Sequence, residues 1–119
     1  MAPPASVQVF GRKDSRSTQA ALRFFRERRI GVSMVDIATR APAPTELRRF
    51  AQRLGSRGLL DVESKAYRDQ GLAYLSMSDD EVLERLLADP RLLRLPLVRA
   101  GDRFSAGPAE AAWKSWLVP

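Results

Sequence analysis

The first 37 residues of the chain follow a strand–helix–strand pattern, and this pattern restricts the fold more than any other feature. Residues Ser6–Phe10 alternate polar and apolar side chains, and Gly11 is expected to end that strand. Apolar residues recur at helical spacing within Ser17–Arg29, and Val32–Ile37 is rich in strand-forming residues. Because a crossover of this length joins parallel strands, the sequence predicts a right-handed β–α–β unit.

The rest of the sequence predicts helices followed by a hairpin and a last helix. Thr45 is expected to cap one helix, and Ser78 with Glu81 forms a Ser-x-x-Glu capping box at the start of another. Residues Ala100–Asp102 form a turn of the kind that closes β-hairpins, and Glu110–Leu117 predicts the closing helix. This order predicts an α/β, thioredoxin-like fold: a four-stranded mixed sheet flanked by helices, with a helical insertion.

The length of 119 residues suits one hydrophobic core, so we predict a single domain over residues 1–119. No apolar run approaches the roughly 20 residues that span a bilayer. The segment Met1–Ser6 lacks a basic stretch followed by an apolar core. We therefore expect a cytoplasmic protein with no membrane segment.

The chain contains no cysteine and no histidine. It therefore offers no disulfide, no thiolate nucleophile, no redox dithiol and no imidazole base near neutral pH. Zinc sites made of these residues are excluded as well. The acidic run Asp79–Glu81 is interpreted as a helix start and not as a metal cluster. We expect no metal and no cofactor.

The net charge of +6 raises the question of nucleic-acid binding, because clustered cations bind phosphates. Basic residues are dense before and within the first predicted helix, but others are spread along the chain. No aromatic-interleaved strand of the RNA-binding kind is present. Nucleic acid is therefore not expected as a partner, and weak phosphate or nucleic-acid binding through the basic first helix is kept as an alternative. The dense basic residues are Arg12, Lys13, Arg16, Arg23, Arg26, Arg28 and Arg29.

Segments along nearly the whole chain resemble the arsenate reductase and Spx family (ArsC/Spx), whose fold is thioredoxin-like. Two of these segments, Leu95–Val98 and Gly107–Trp113, are fairly specific for that family. In such proteins the catalytic cysteine lies between the first strand and the first helix. The resemblance puts Ser15 at that position and Thr18 at the second cysteine of an Spx-type pair. The matching segments are Val7–Thr18, Ala20–Glu27, Val35–Ile37, Leu86–Val98 and Gly107–Leu117.

The family likeness also places three anion-binding arginines of the arsenate reductases, at Asp61, Leu95 and Gly107 of this chain. None of the three is arginine here. An alcohol is many pKa units less acidic than a thiol and cannot form thioarsenate or mixed-disulfide intermediates. The resemblance therefore implies an inactive catalytic position at Ser15. It also implies that Pro96 is the cis-proline that this fold places beside its active loop.

Two interpretations of the residues around Ser15 remain open. Ser15 and Ser17 are expected to cap the first helix through their hydroxyl groups. The alternative is a weak anion site in which the helix N–H groups act with Arg12, Lys13, Arg16 and Ser17.

The leading hypothesis is a non-catalytic ArsC/Spx-like protein, a pseudoenzyme that acts by binding a protein. The resemblance suggests RNA polymerase or another cytoplasmic protein as that partner. The alternative is an arsenate reductase-like or glutathione-dependent thiol oxidoreductase, which would use glutathione or glutaredoxin.

Overall fold

The computed structural model of the chain describes residues 4–118. Within these residues the helices and strands alternate at first, and a run of helices precedes the last two strands. Their bounds are β1 Ser6–Gly11, α1 Arg16–Glu27, β2 Gly31–Asp36, α2 Pro44–Leu54, α3 Lys65–Asp69, α4 Asp79–Ala88, β3 Leu97–Ala100, β4 Arg103–Ala106 and α5 Glu110–Trp116. Short 3-10 turns lie at Arg57–Leu59, Leu72–Tyr74 and Pro90–Leu92.

The chain forms two compact units. The sheet unit comprises residues 4–41 and 95–118, and the helical unit comprises residues 42–94, inserted in sequence between β2 and β3. The architecture matches the predicted mixed sheet with flanking helices and a helical insertion. The assignment of residues 1–119 to one domain stays a prediction.

The strand order in the sheet is β2-β1-β3-β4. Strand β1 pairs in parallel with β2 from Ser6 opposite Gly31 to Gly11 opposite Asp36. It pairs in antiparallel fashion with β3, where Phe10 lies opposite Leu97. The predicted β–α–β unit and the β3–β4 hairpin are both confirmed. This register puts the end of β1 beside the start of β3, which positions the site described below.

The core of the sheet unit packs one face of α1 and the indole rings of α5 against β1 and β3. The rings of Phe24 and Phe25 lie 5.5 and 5.4 Å from that of Trp113. The buried Trp113 indole N–H donates a 2.8 Å hydrogen bond to Ser105 Oγ. Aromatic burial of this kind contributes much of the hydrophobic stabilisation in a small core.

The helical unit contains many buried apolar side chains, and its helices begin and end at recognisable residues. Helix α4 begins with the predicted capping box: Ser78 Oγ accepts from the Glu81 N–H, and the Glu81 carboxylate accepts from the Ser78 N–H. Leu60 and Leu93 form an isolated antiparallel bridge. Buried side chains of this unit include Leu47, Phe50, Leu59, Leu72, Val82, Leu86 and Leu92.

Two predicted helix boundaries are wrong for physical reasons. Helix α1 ends at Glu27 and not at Arg29, because Arg29 has a left-handed φ of 58° that no helix continues. Thr45 does not cap α2, because the helix already begins at Pro44, whose fixed φ and missing N–H suit the first helical position.

Among the described residues, no helix is long and apolar enough to cross a membrane.

Candidate functional site

The candidate site is the loop that connects β1 to α1, together with the first turn of α1. Strand β1 ends at Gly11, and α1 begins at Arg16, so four residues make the connection. Leu95 and Pro96 precede β3, which pairs with the end of β1. The sheet register therefore brings the Leu95–Pro96 segment close to the first turn of α1.

Ser15 is the N-cap residue of α1, as predicted. Its backbone is extended, with φ −87° and ψ 121°, and its Oγ accepts a 3.2 Å hydrogen bond from the Thr18 N–H. This bond satisfies one of the four N–H groups that the start of a helix leaves without a partner. The Ser15 hydroxyl therefore stabilises the helix start.

Ser17 does not cap the helix, which corrects the sequence interpretation. Its Oγ lies 2.9 Å from the carbonyl oxygen of Leu95 and 3.1 Å from Ser15 Oγ. A carbonyl oxygen only accepts, so the single hydroxyl proton of Ser17 goes to Leu95. Ser15 must then be the donor in its contact with Ser17. One continuous network of hydrogen bonds therefore runs from the Thr18 N–H through Ser15 and Ser17 to the Leu95 carbonyl.

This network of hydrogen bonds determines whether the Ser15 hydroxyl is free to donate its proton elsewhere. The hydroxyl accepts from one backbone N–H and donates to Ser17, so its proton is already committed. A serine nucleophile needs an adjacent general base to remove that proton. The sequence has no histidine, and Ser17 is itself an alcohol whose proton points to a carbonyl. In this arrangement the Ser15 hydroxyl caps α1, and the side chain that accepts its proton is an alcohol.

The basic residues of the loop separate into two groups. Arg12 forms a bidentate ion pair with Asp14, with both N···O distances 3.1 Å. Lys13 and Arg16 are exposed, and their side chains have no hydrogen-bond or ion-pair partner among residues 4–118. The Asp14 carboxylate balances the charge of Arg12. The anion-binding role of Arg12, Lys13, Arg16 and Ser17 stays a prediction.

The three positions that the resemblance assigns to anion-binding arginines have backbone roles in this chain. The Leu95 carbonyl accepts from Ser17, and the Leu95–Pro96 peptide bond is cis. Gly107 is buried with a positive φ of 72°, and its N–H donates to the Pro96 carbonyl. In the helical unit, Asp61 Oδ1 accepts from the Glu63 N–H in a turn.

Thr18 has a structural role in the site. The resemblance, which places Thr18 at the second cysteine of an Spx-type pair, did not reveal this role. Its side chain is fully buried, and the Arg12 N–H donates to its Oγ1 at 3.4 Å. A Cβ added at Gly11 would lie 2.4 Å from Thr18 Oγ1 and 2.5 Å from its Cγ2. Gly11 is therefore required for close packing.

Among the described residues, no group of three or more acidic side chains could hold a metal ion.

Known proteins resemble this chain in sequence and in fold. An arsenate reductase of Neisseria meningitidis serogroup A is 27% identical to the chain over 104 residues, which cover 85% of this chain and 89% of the relative. A solved ArsC family related protein of Bacteroides fragilis superposes with a TM-score of 0.84 at 17% identity, covering 93% and 97% of the two chains. An arsenate reductase of Vibrio cholerae superposes with a TM-score of 0.77 at 21% identity, covering 92% and 96%.

The two superpositions show that the fold is shared, and the match to a sequence model shows the family. The model of the ArsC family matches residues 10–116, which include the end of β1, the Ser15 loop, the helical unit and the carboxyl-terminal hairpin and helix. From residue order, sheet topology and this match together, we conclude that the chain belongs to the ArsC family.

Proposed function

We propose that this ArsC-family chain does not catalyse thiol-dependent reduction and acts by binding another protein. The observation that carries the proposal is the state of Ser15. Ser15, which the resemblance places at the cysteine position of the family, caps α1 and donates its proton to Ser17, and the sequence contains no cysteine. A thiolate attacks arsenate or disulfide sulfur because it is a soft and weakly basic nucleophile, and a capped alcohol has neither property.

The second candidate function is arsenate reduction, which is favoured by the relatives of that name at 27% identity. In this function glutathione or glutaredoxin would supply the thiol that the chain lacks. The anion would then have to bind at the start of α1. There the Thr18 N–H is already used by Ser15, and the Arg12 guanidinium is already paired with Asp14. These two features weigh against the second candidate.

The test is an arsenate reduction assay of the purified chain with glutathione and glutaredoxin, with the Neisseria meningitidis relative as positive control. We expect no turnover above the reaction without protein. Turnover by the native chain that is lost on removal of glutaredoxin would contradict the proposal.

Ser15→Cys tests whether the missing sulfur alone explains the loss of activity. We expect a reactive thiol, because a helix start lowers the pKa of a cysteine. We also expect little or no arsenate reduction, because the positions assigned to anion-binding arginines are Asp61, Leu95 and Gly107. Strong turnover would show that this assignment of the anion site is wrong.

A further inference from the structure

The net charge of the chain is confined to one of its two units. Residues 42–94 contain nine basic and nine acidic residues, so the helical unit is neutral. The remaining eleven basic and five acidic residues give the sheet unit the whole net charge of +6. Within the sheet unit, residues 12–29 contain seven basic and two acidic residues. The charge is thus concentrated around α1.

Three arginines of α1 share its solvent face. Arg16, Arg23 and Arg26 are all exposed, and at 100° per residue they lie within about 80° of one another around the helix axis. They extend over about 15 Å along that axis. The opposite side of α1 carries its buried residues. We call Arg16, Arg23 and Arg26 the basic face of α1.

The guanidinium groups of the basic face are not used by the fold. Among the described residues, none of the three makes an ion pair or a side-chain hydrogen bond, and Glu27 does not pair with Arg23. Two neighbouring arginines contrast with them: Arg12 pairs with Asp14, and Arg28 lies 3.7 Å from the centroid of the Phe24 ring.

Two features of the basic face disfavour the helix that carries it, although Arg26 lies in the last turn, where a cation suits the macrodipole. The first turn of α1 contains Arg16 and no acidic residue, although the helix macrodipole favours negative charge there. Arg23 and Arg26 are like charges three residues apart, which destabilises a helix by a few tenths of a kcal/mol. Residues that oppose local helix preferences, and that make no compensating contact in the folded protein, are typical of a binding surface.

We propose that the basic face of α1 binds an acidic helical segment of a partner protein. This inference rests on the proposed binding function and names its surface and the chemistry of the partner. Arginine forms bidentate hydrogen bonds with carboxylates, and carboxylates spaced three and seven residues apart on a helix match the spacing of Arg16, Arg23 and Arg26. An acidic helix is therefore the complementary ligand.

The face fits an acidic protein better than a nucleic acid. Glu27, on the same side of the helix, would repel a phosphate backbone, which carries a charge at every nucleotide, whereas a partner helix can place a neutral or basic residue opposite Glu27. The aromatic residues of α1, Phe24 and Phe25, are buried, so α1 presents no stacking platform for bases.

The test uses fluorescence anisotropy with a labelled synthetic helical peptide of about 18 residues, long enough to cover the face. The peptide has glutamates on one side at spacings of three and seven residues. A second peptide of equal composition has its glutamates distributed around the helix. The charge-neutralising variant is Arg23→Gln/Arg26→Gln. Its matched control is Arg48→Gln/Arg85→Gln, which removes two exposed arginines of the helical unit.

We expect the one-sided peptide to bind the native chain more tightly than the distributed peptide. The Arg23→Gln/Arg26→Gln variant should weaken that binding about fivefold to tenfold, as two exposed ion pairs would, and the control variant by less than about twofold. Equal losses in both variants, equal binding of both peptides, or no binding at about 100 μM would overturn the inference. So would tighter binding of a duplex DNA that the Arg23→Gln/Arg26→Gln variant loses. The proposed function is judged separately, by arsenate turnover of the native chain.

Discussion

The Ser17 hydroxyl donates its proton to the carbonyl oxygen of Leu95 across 2.9 Å, although the two residues are 78 positions apart in sequence. The bond joins the first turn of α1 to the segment that leads into β3. It also fixes the direction of the neighbouring hydrogen bond, in which Ser15 is the donor. The Ser17 side chain therefore joins α1 to the Leu95–Pro96 segment, and it makes Ser15 the donor in the bond between the two serines.

Ser17→Ala removes this connection, and we expect it to destabilise the chain by about 1 kcal/mol, the usual net contribution of a hydrogen bond. The free energy of unfolding, measured by urea denaturation, checks this value. Ser33→Ala is the matched control, because Ser33 is exposed in β2 and its side chain has no bond among the described residues. That variant should change the free energy by less than about 0.5 kcal/mol. Equal stabilities of the two variants would contradict the prediction.

Gly11→Ala is expected to destabilise the chain because the new methyl group would overlap Thr18, whose atoms lie 2.4 and 2.5 Å from its position. Overpacking of this kind typically costs about 1–3 kcal/mol. Thr18→Ala removes both overlapping atoms. The double variant Gly11→Ala/Thr18→Ala should therefore be more stable than the sum of the two single effects predicts, by about 1 kcal/mol.

Gly58→Ala provides the control for the Gly11 experiment. A Cβ at Gly58 would make only an ordinary 3.6 Å contact with Leu54 Cβ. We expect its free energy of unfolding to differ little from that of the native chain. Additive effects of Gly11→Ala and Thr18→Ala in urea denaturation would show that the two residues do not pack as described.

Sequence patterns that involve only neighbouring residues predicted much of the fold. The alternation of Ser6–Phe10 and the Ser78–Glu81 capping box each depend on neighbours in sequence, and both were confirmed. The end of α1 was wrong because nothing local predicts a left-handed φ at an arginine, Arg29. Such a conformation depends on how the chain turns back into β2.

The candidate site was less predictable, because its decisive contacts are not all local. Ser15 was correctly predicted as a cap, since capping needs only the next three residues. The bond from Ser17 to Leu95 depends on sheet register and has no signal in the sequence. The Arg12–Asp14 pair, two residues apart, had a signal in its charge spacing.

Ser105→Ala is expected to destabilise the core by leaving the Trp113 indole N–H buried without an acceptor. The two atoms are 2.8 Å apart, and Ser105 and Trp113 are 5% and 3% exposed. An unsatisfied buried donor costs about 1–3 kcal/mol. In a Trp113→Phe background the donor is absent, so Ser105→Ala should cost less there. A double-mutant cycle from urea denaturation, followed by circular dichroism, measures the coupling, and a coupling near zero would contradict the prediction.

The capping box of α4 makes stability depend on pH through Glu81. The Ser78 backbone N–H, and then the Ser78 hydroxyl, hold the pKa of the Glu81 carboxyl below its ordinary value of 4.5. Because the folded pKa is the lower one, the unfolded chain binds a proton more readily than the folded chain. The contribution of Glu81 is therefore fully present above the ordinary value. It is lost as the pH falls through the folded value.

We accordingly expect the free energy of unfolding of the native chain to fall more steeply below pH 4.5 than that of Glu81→Gln, which cannot titrate. Ser78→Ala should lower stability at neutral pH by about 1 kcal/mol, the usual cost of a lost N-cap. Ser76→Ala is its control, an exposed serine two residues away whose side chain has no bond among the described residues. Urea denaturation across pH 3–7 measures all four proteins. Identical pH profiles for the native chain and Glu81→Gln would show that the box, although formed, does not couple protonation to folding.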